Sequence, residues 1–290
     1  MRKQSFHTRV LLSTFTVFLM LAGGCGSGGG GSHGNSSGGI TQEKVISAIN
    51  GISSLTNETI KGAFLGLPAN SEFSRTLVDG EDITFNVTIV EESPDGSTAD
   101  VFVNREAKGT VEVDADEDGT PEFKKDVNIS MTTHMKTQSE GDGNYSIIET
   151  SPTEIITTTE GLPEPGFKIQ WVQILDKEGA SLWQINSPDE TIELSKLLTL
   201  ISGSEVTVKV AVKVESPGDI GVYLYHGNEK YGSMKPDGET DGYFLYAKTY
   251  TVGPQSGQYI GFVEVISNES LSDSSAPFQS RAWLIGYTVQ

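Results

Sequence analysis

Apolar and polar residues alternate along EDITFNVTIVEE, residues 81–92, placing Ile83, Phe85, Val87 and Ile89 on one side. A period of two is that of a strand with one buried face. The turn SPDG follows, then STADVFVN and GTVEV, then FKKDVNISMTTHMKT and NYSIIET with SEGDG between them. The pattern predicts long antiparallel hairpins. The preceding segment has another rhythm. Val45, Ile46, Ala48, Ile49, Ile52 and Leu55 recur at helical spacing, with Thr41 placed as N-cap and Asn50-Gly51 as the stop. A second short helix is predicted over 57–65, with Ile60, Ala63 and Phe64 inward and Gly66 and Pro68 closing it.

GLPEPG, residues 161–166, packs two prolines and two glycines into six positions and reads as a boundary. Beyond it lie FKIQWVQIL, ASLWQI, EVTVKVAVKVE, IGVYLYH, GYFLYAKTYTV, QYIGFVEVIS and RAWLIGYTV. Strand-like runs separated by turn residues are the grammar of a β-sandwich. The sequence therefore predicts a mainly β protein in two parts. An α+β domain over 40–160 has one or two helices and an antiparallel meander. A β-sandwich over 167–290 follows the linker 161–166. The first part shares its element order with cone-shaped nuclear-transport-factor-like folds and with cystatin-like folds. The second resembles fibronectin type III and immunoglobulin modules, and its lack of cysteines suits the former better. PQSGQY, 254–259, resembles the corner where such sandwiches place a tyrosine, which makes Tyr259 the candidate. VEESPDGSTADVFV, near 90–103, and VESPGDIGVYLY, near 214–225, are similar and read as two hairpins sharing one turn chemistry.

Charge narrows the partners. The formal net charge is −19, and Arg2, Lys3 and Arg9 stand in an opening segment without acids, so the remainder is more acidic still. Such a surface repels phosphate backbones, which excludes nucleic acid as a natural partner. It also repels anionic headgroups, so attachment to a membrane must be covalent or strongly apolar.

The first 24 residues supply that attachment. A basic start, the short apolar run Val10 to Ala22 and small residues at the exit form a signal-peptide layout. Its end, Leu21-Ala22-Gly23-Gly24-Cys25, resembles the bacterial lipobox, with leucine one place further from the cysteine than is usual. The resemblance implies a signal peptide over 1–24 and a lipid anchor, including an acyl chain such as palmitate, on Cys25. Gly26 in place of Asp implies sorting to the outer membrane. Cys25 is the only cysteine, so no internal disulfide forms. Residues 26–39 are Gly, Ser and Asn with one histidine, His33, a flexible tether spanning roughly 20 Å.

Candidate chemistry is sparse. DADEDGTPE, 114–122, alternates Asp114, Asp116 and Asp118 and places Gly119 sixth. The D-x-D-x-D-G opening resembles calcium loops of EF-hands and of calcium-binding hairpins. It implies Ca²⁺ held by Asp114, Asp116, Asp118, the Thr120 carbonyl and Glu122. The twelfth position is Lys125 rather than glutamate, and strand-like flanks argue against a helix-moving sensor. Asp126 is the nearest replacement carboxylate. His134 and His226 fall in strands, and no nucleophile elbow, H-E-x-x-H pair or P-loop is present. Eight of the nine tyrosines lie between Tyr223 and Tyr287. Tyr223 and Tyr225 on one strand, and Phe244 and Tyr246 on another, suggest a platform for a surface glycan or an envelope protein. The expectation is a lipid-anchored, non-enzymatic binding or structural module. A hydrolase with unassigned carboxylates and a carrier with an N-terminal cone-shaped cavity remain open alternatives.

Overall fold

The computed structural model describes residues 40–50, 73–77, 84–114, 120–141, 143–226 and 232–290. The signal peptide, Cys25, the tether and the expected helix at 57–65 lie outside the described residues. Helix α1 is Gln42–Asn50. The first half of the body continues with β1 Phe73–Leu77, β2 Thr84–Glu92, β3 Thr98–Val113, β4 Phe123–Ser139, β5 Tyr145–Thr150 and β6 Thr153–Thr159. After residues 160–167 come β7 Lys168–Asp176, β8 Ser181–Ile185, β9 Ile192–Glu193, β10 Thr199–Leu200, β11 Glu205–Lys213 and β12 Ile220–His226. The chain closes with β13 Gly232–Ser233, β14 Lys235–Thr240, β15 Tyr243–Thr251, β16 Gly257–Ser267, α2 Asn268–Ser272 and β17 Gln279–Val289. The protein is mainly β, as the alternation predicts.

Two sheets result. The large one runs β1-β3-β4-β6-β17-β16-β12-β13, with β2 also on β3, β5 on β4 and β10 on β17. The small one runs β14-β15-β11-β7-β8. The backbone of the first half is the hairpin of β3 and β4, 16 and 17 residues long, in register from Thr98 opposite Gln138 to Val113 opposite Phe123. Its odd-numbered residues, Val101, Val103, Val111, Val127 and Met131 among them, are buried. α1 lies on that face, pressing Val45 and Ile49 onto Ala99, Val101, Val103 and Met135. Thr41 stands at the N-cap position, and the neighbouring Ile40 is buried with its N–H donated to the Glu92 carboxylate at 3.3 Å.

The sandwich over the second half is present. Val206, Val208, Val210 and Val212 of β11 and Val172 of β7 face Val222, Leu224, Val263, Val265, Trp283 and Ile285 of the large sheet in one core. The Tyr259 hydroxyl donates to the Gln255 carbonyl at 2.8 Å, the back-bond expected of a corner tyrosine.

The domain boundary at 161–166 is corrected. β6, before it, is hydrogen-bonded to β17, after it, from Thr153 opposite Leu284 to Thr158 opposite Gln279. Gly38–Gln290 is one compact unit. The physical reason is that β6 and β16 would each end in an open edge, and β17 pairs with both. GLPEPG is pinned rather than loose. Arg281 of β17 reaches Glu154 of β6 through Nη1 and Glu164 of the segment through Nη2, each at 2.8 Å.

The paired-hairpin reading is half right. SPDG joins β2 to β3 as a hairpin, with the Asp95 carboxylate accepting from the Ser97 hydroxyl and N–H and from the Ser93 hydroxyl. VESPGD instead carries the chain from β11 in the small sheet to β12 in the large one. The turn residues are alike, but β11 is already flanked by β7 and β15.

α2 and the loop behind it cover the far side of the large sheet. Lys125 of β4 holds them, donating to the carbonyls of Ser270, Asp273 and Ala276 at 2.9, 2.8 and 2.7 Å. Desolvation lowers the Lys125 ammonium from its ordinary value, and Asp273 opposes that shift. Lys125→Met leaves three carbonyls without their shared donor. It should cost about 2–3 kcal/mol in chemical denaturation and raise amide hydrogen exchange over 268–277.

Candidate functional site

The acidic motif sits at the tip of the long hairpin. β3 delivers Asp114 and β4 begins just after Glu122, whose N–H closes the loop on the Val113 carbonyl at 2.9 Å. Thr120 and Glu122 are exposed and Asp114 is half-buried. Asp116 and Asp118 lie outside the described residues. Among the described residues no group of three or more His, Cys, Asp or Glu gathers to hold a metal ion. Two neighbours are settled. Lys125, in the twelfth position, turns into the body. Asp126, the substitute carboxylate, accepts from Thr110 across the strand pair at 3.2 Å.

The aromatic platform is overturned. Tyr223 is 6 % exposed and Tyr246 5 %. Tyr223 points to the face of the large sheet that carries Phe262, Phe278 and Leu284. Its ring lies so close over Gly221 that an added Cβ would stand 2.7 Å from it. Tyr225 shares that face, half-buried, with its ring 5.6 Å from Phe262 and its phenol pushed above the ordinary value by burial. Phe244 and Tyr246 face the core between the sheets, and the Tyr246 hydroxyl donates to the Pro217 carbonyl at 3.4 Å. The four rings line two separate cores. The physical reason is that β12 is covered on both faces, which makes GVYLYH nearly continuous in burial.

The histidines hold structure. His134 stacks on Phe102 with centroids 4.6 Å apart. Its Nδ1 meets the Asp189 carbonyl at 2.8 Å and its Nε2 lies 3.3 Å from Asp100 Oδ1. The ring thus clamps the 186–191 segment onto the long hairpin. His226 is buried and stacked on Tyr250 with centroids 3.6 Å apart. Burial, with Lys248 as a lesser cause, holds its imidazole down to about 4.

The cavity of the carrier alternative would lie beside α1, where the helix expected at 57–65 falls outside the described residues. Ile40, Val45 and Ile49 with Val101, Val103 and Met135 fill the space between α1 and the sheet. The cleft beside α1, about 620 Å³, opens to solvent between Glu43, Lys44 and Ser47 on the helix and Asn144, Tyr145 and Ser146 on β5 and the residues before it. No model of a known family matches the chain, and no curated protein matches it in sequence.

His226 gives stability a pH dependence of known sign. The folded imidazole stays neutral down to about pH 4, whereas the unfolded one takes a proton near 6.5. The unfolded state thus binds more protons, and stability falls as pH drops from about 6.5 to about 4. The contribution is on the order of 1–2 kcal/mol after solvent screening. Urea midpoints measured at pH 7 and pH 4.5 should differ less in His226→Phe, which keeps the stack on Tyr250 and removes the titration.

Proposed function

We propose that this chain is a lipid-anchored module of a bacterial cell envelope, held in the outer membrane through Cys25 and acting by binding or structure rather than catalysis. One observation carries the anchored reading. Ile40, the residue that follows the glycine-rich sequence 26–39, is buried in the body. The apolar run and Cys25 precede the tether as an export-and-anchor layout requires. Two or more acyl chains on one residue suffice for stable anchoring, since each buried CH₂ contributes roughly 0.8 kcal/mol. The acidic surface has no electrostatic attraction to anionic lipid, which leaves the anchor as the attachment. The structural roles of His134 and His226 support a non-enzymatic module.

Labelled palmitate fed to expressing cells should appear in the protein and vanish in Cys25→Ser, which should move from the membrane to the soluble fraction. Retention of label by that variant would sink the reading.

The hairpin tip extends it. Asp114, Asp116, Asp118, the Thr120 carbonyl and Glu122 would supply hard oxygen ligands for calcium, with affinity on the order of 10⁻⁴–10⁻³ M. The ion would tie the ends of β3 and β4 together. Millimolar calcium should raise the thermal midpoint by several degrees over chelator, and Asp116→Ala should erase the difference. Equal midpoints in calcium and chelator would leave the tip a hydrated turn.

A further inference from the structure

The large sheet has a face that the small sheet covers only in part. Over β16 and β17 that face is core, with Val263, Val265, Trp283 and Ile285 beneath the small sheet. Over β3, β4 and β6 the same face turns polar and opens into a trough of about 390 Å³. Glu106, Ser130 and Ile156 form one row across these strands, and Lys108, Asn128 and Thr158 the next. The far wall is the pinned segment 161–166. Leu162, 42 % exposed, and Glu164 project into the trough from it. Arg281 fixes Glu164 in place, so this wall is built before any ligand arrives.

The charges in the trough are unequally engaged. Lys108, the one cation among the lining residues, lies 3.5 Å from Glu160. Glu164 is paired with Arg281. The Glu106 carboxylate has no hydrogen bond or ion pair among the described residues, and neither the Asn128 amide nor the Ser130 hydroxyl has a bonding partner there. Glu106 on β3 and Ile156 on β6 are two strand spacings apart, about 10 Å. An uncommitted anion thus stands at one end of a short trough and an aliphatic wall, Ile156 and Leu162, at the other.

We propose that this trough binds a lysine side chain of a partner peptide, with the ammonium on Glu106, the aliphatic stem along Ile156 and Leu162, and the adjoining peptide groups on Asn128 and Ser130. A lysine combines an apolar stem with a cationic head over that length. The strongly acidic body draws a cationic partner toward it. A pyranose fits less well, because no aromatic ring lines the trough to stack on it. The proposal supplies a partner chemistry for the binding-module reading and rests on it, but it does not depend on the lipid anchor.

The test is an NMR titration of the full chain with the blocked peptide acetyl-Ala-Lys-Ala-amide. Its norleucine analogue, which lacks only the ammonium, and N-acetylglucosamine serve as comparisons. The lysyl peptide should give saturable shifts at Glu106, Asn128, Ser130 and Leu162. Glu106→Gln should weaken binding roughly tenfold, as should the norleucine analogue. Glu140→Gln, a charge change at an exposed turn elsewhere, should leave the affinity unchanged. No saturable shift at millimolar peptide, equal binding of both peptides, equal loss in Glu140→Gln, or a preference for the sugar would each overturn the proposal. Labelling of Cys25 with palmitate is untouched by any of these results, so the trough and the anchor stand or fall separately.

Discussion

The ladder between β6 and β17 is the contact on which the rest of the molecule depends. It joins residues 153–158 to residues 279–284 and turns two sets of strands into one sheet. Because β17 is covered on both faces, its side chains serve two environments at once. Val263, Trp283 and Ile285 look into the sandwich. Phe262, Ala282 and Leu284 look into the opposite core with Ile155 and Met131. A strand in that position cannot alternate polar with apolar, and RAWLIGYTV does not.

Charge is arranged around the same seam. Arg281 stands on β17 where the small sheet's cover ends, and its guanidinium ties a strand carboxylate, Glu154, to a loop carboxylate, Glu164. The Trp283 indole N–H reaches Glu154 as well, at 3.4 Å. Buried charge is costly unless it is paired, and here the pairing determines where the 161–166 segment lies. That placement converts a proline-rich connection into the wall of a trough. On the other side, Lys125 does comparable work for α2 by gathering three carbonyls around one ammonium.

What was legible in the sequence was local. Period-two alternation identified β3 and β4, and helical spacing identified α1. The PQSGQY corner identified Tyr259, because a tyrosine bonding back four residues is a short-range device. The β6–β17 pairing was not legible, since nothing near residue 155 specifies a partner near residue 282. GLPEPG read as a boundary for the same reason: its prolines report a break in local structure and say nothing of Arg281. The aromatics misled because tyrosine is at home both at surfaces and in cores. The unbroken run VYLY was the available sign of a strand covered on both faces. The polar trough carried no motif, because its two rows come from three strands and meet only once the sheet has formed.

The ladder also sets an order of events. β3 and β4 are neighbours in the chain and can zip from their shared turn. β6 must wait for a partner that lies more than a hundred residues further along. Closing so large a loop is slow, and contacts of high sequence separation delay the rate-limiting step of folding. Through that interval β6 and β16 each expose a row of unpaired N–H and C=O groups, edges that invite pairing with another chain. The newly made protein is thus most vulnerable to self-association just before its last strand arrives, and any cellular factor that shields it must act in that window.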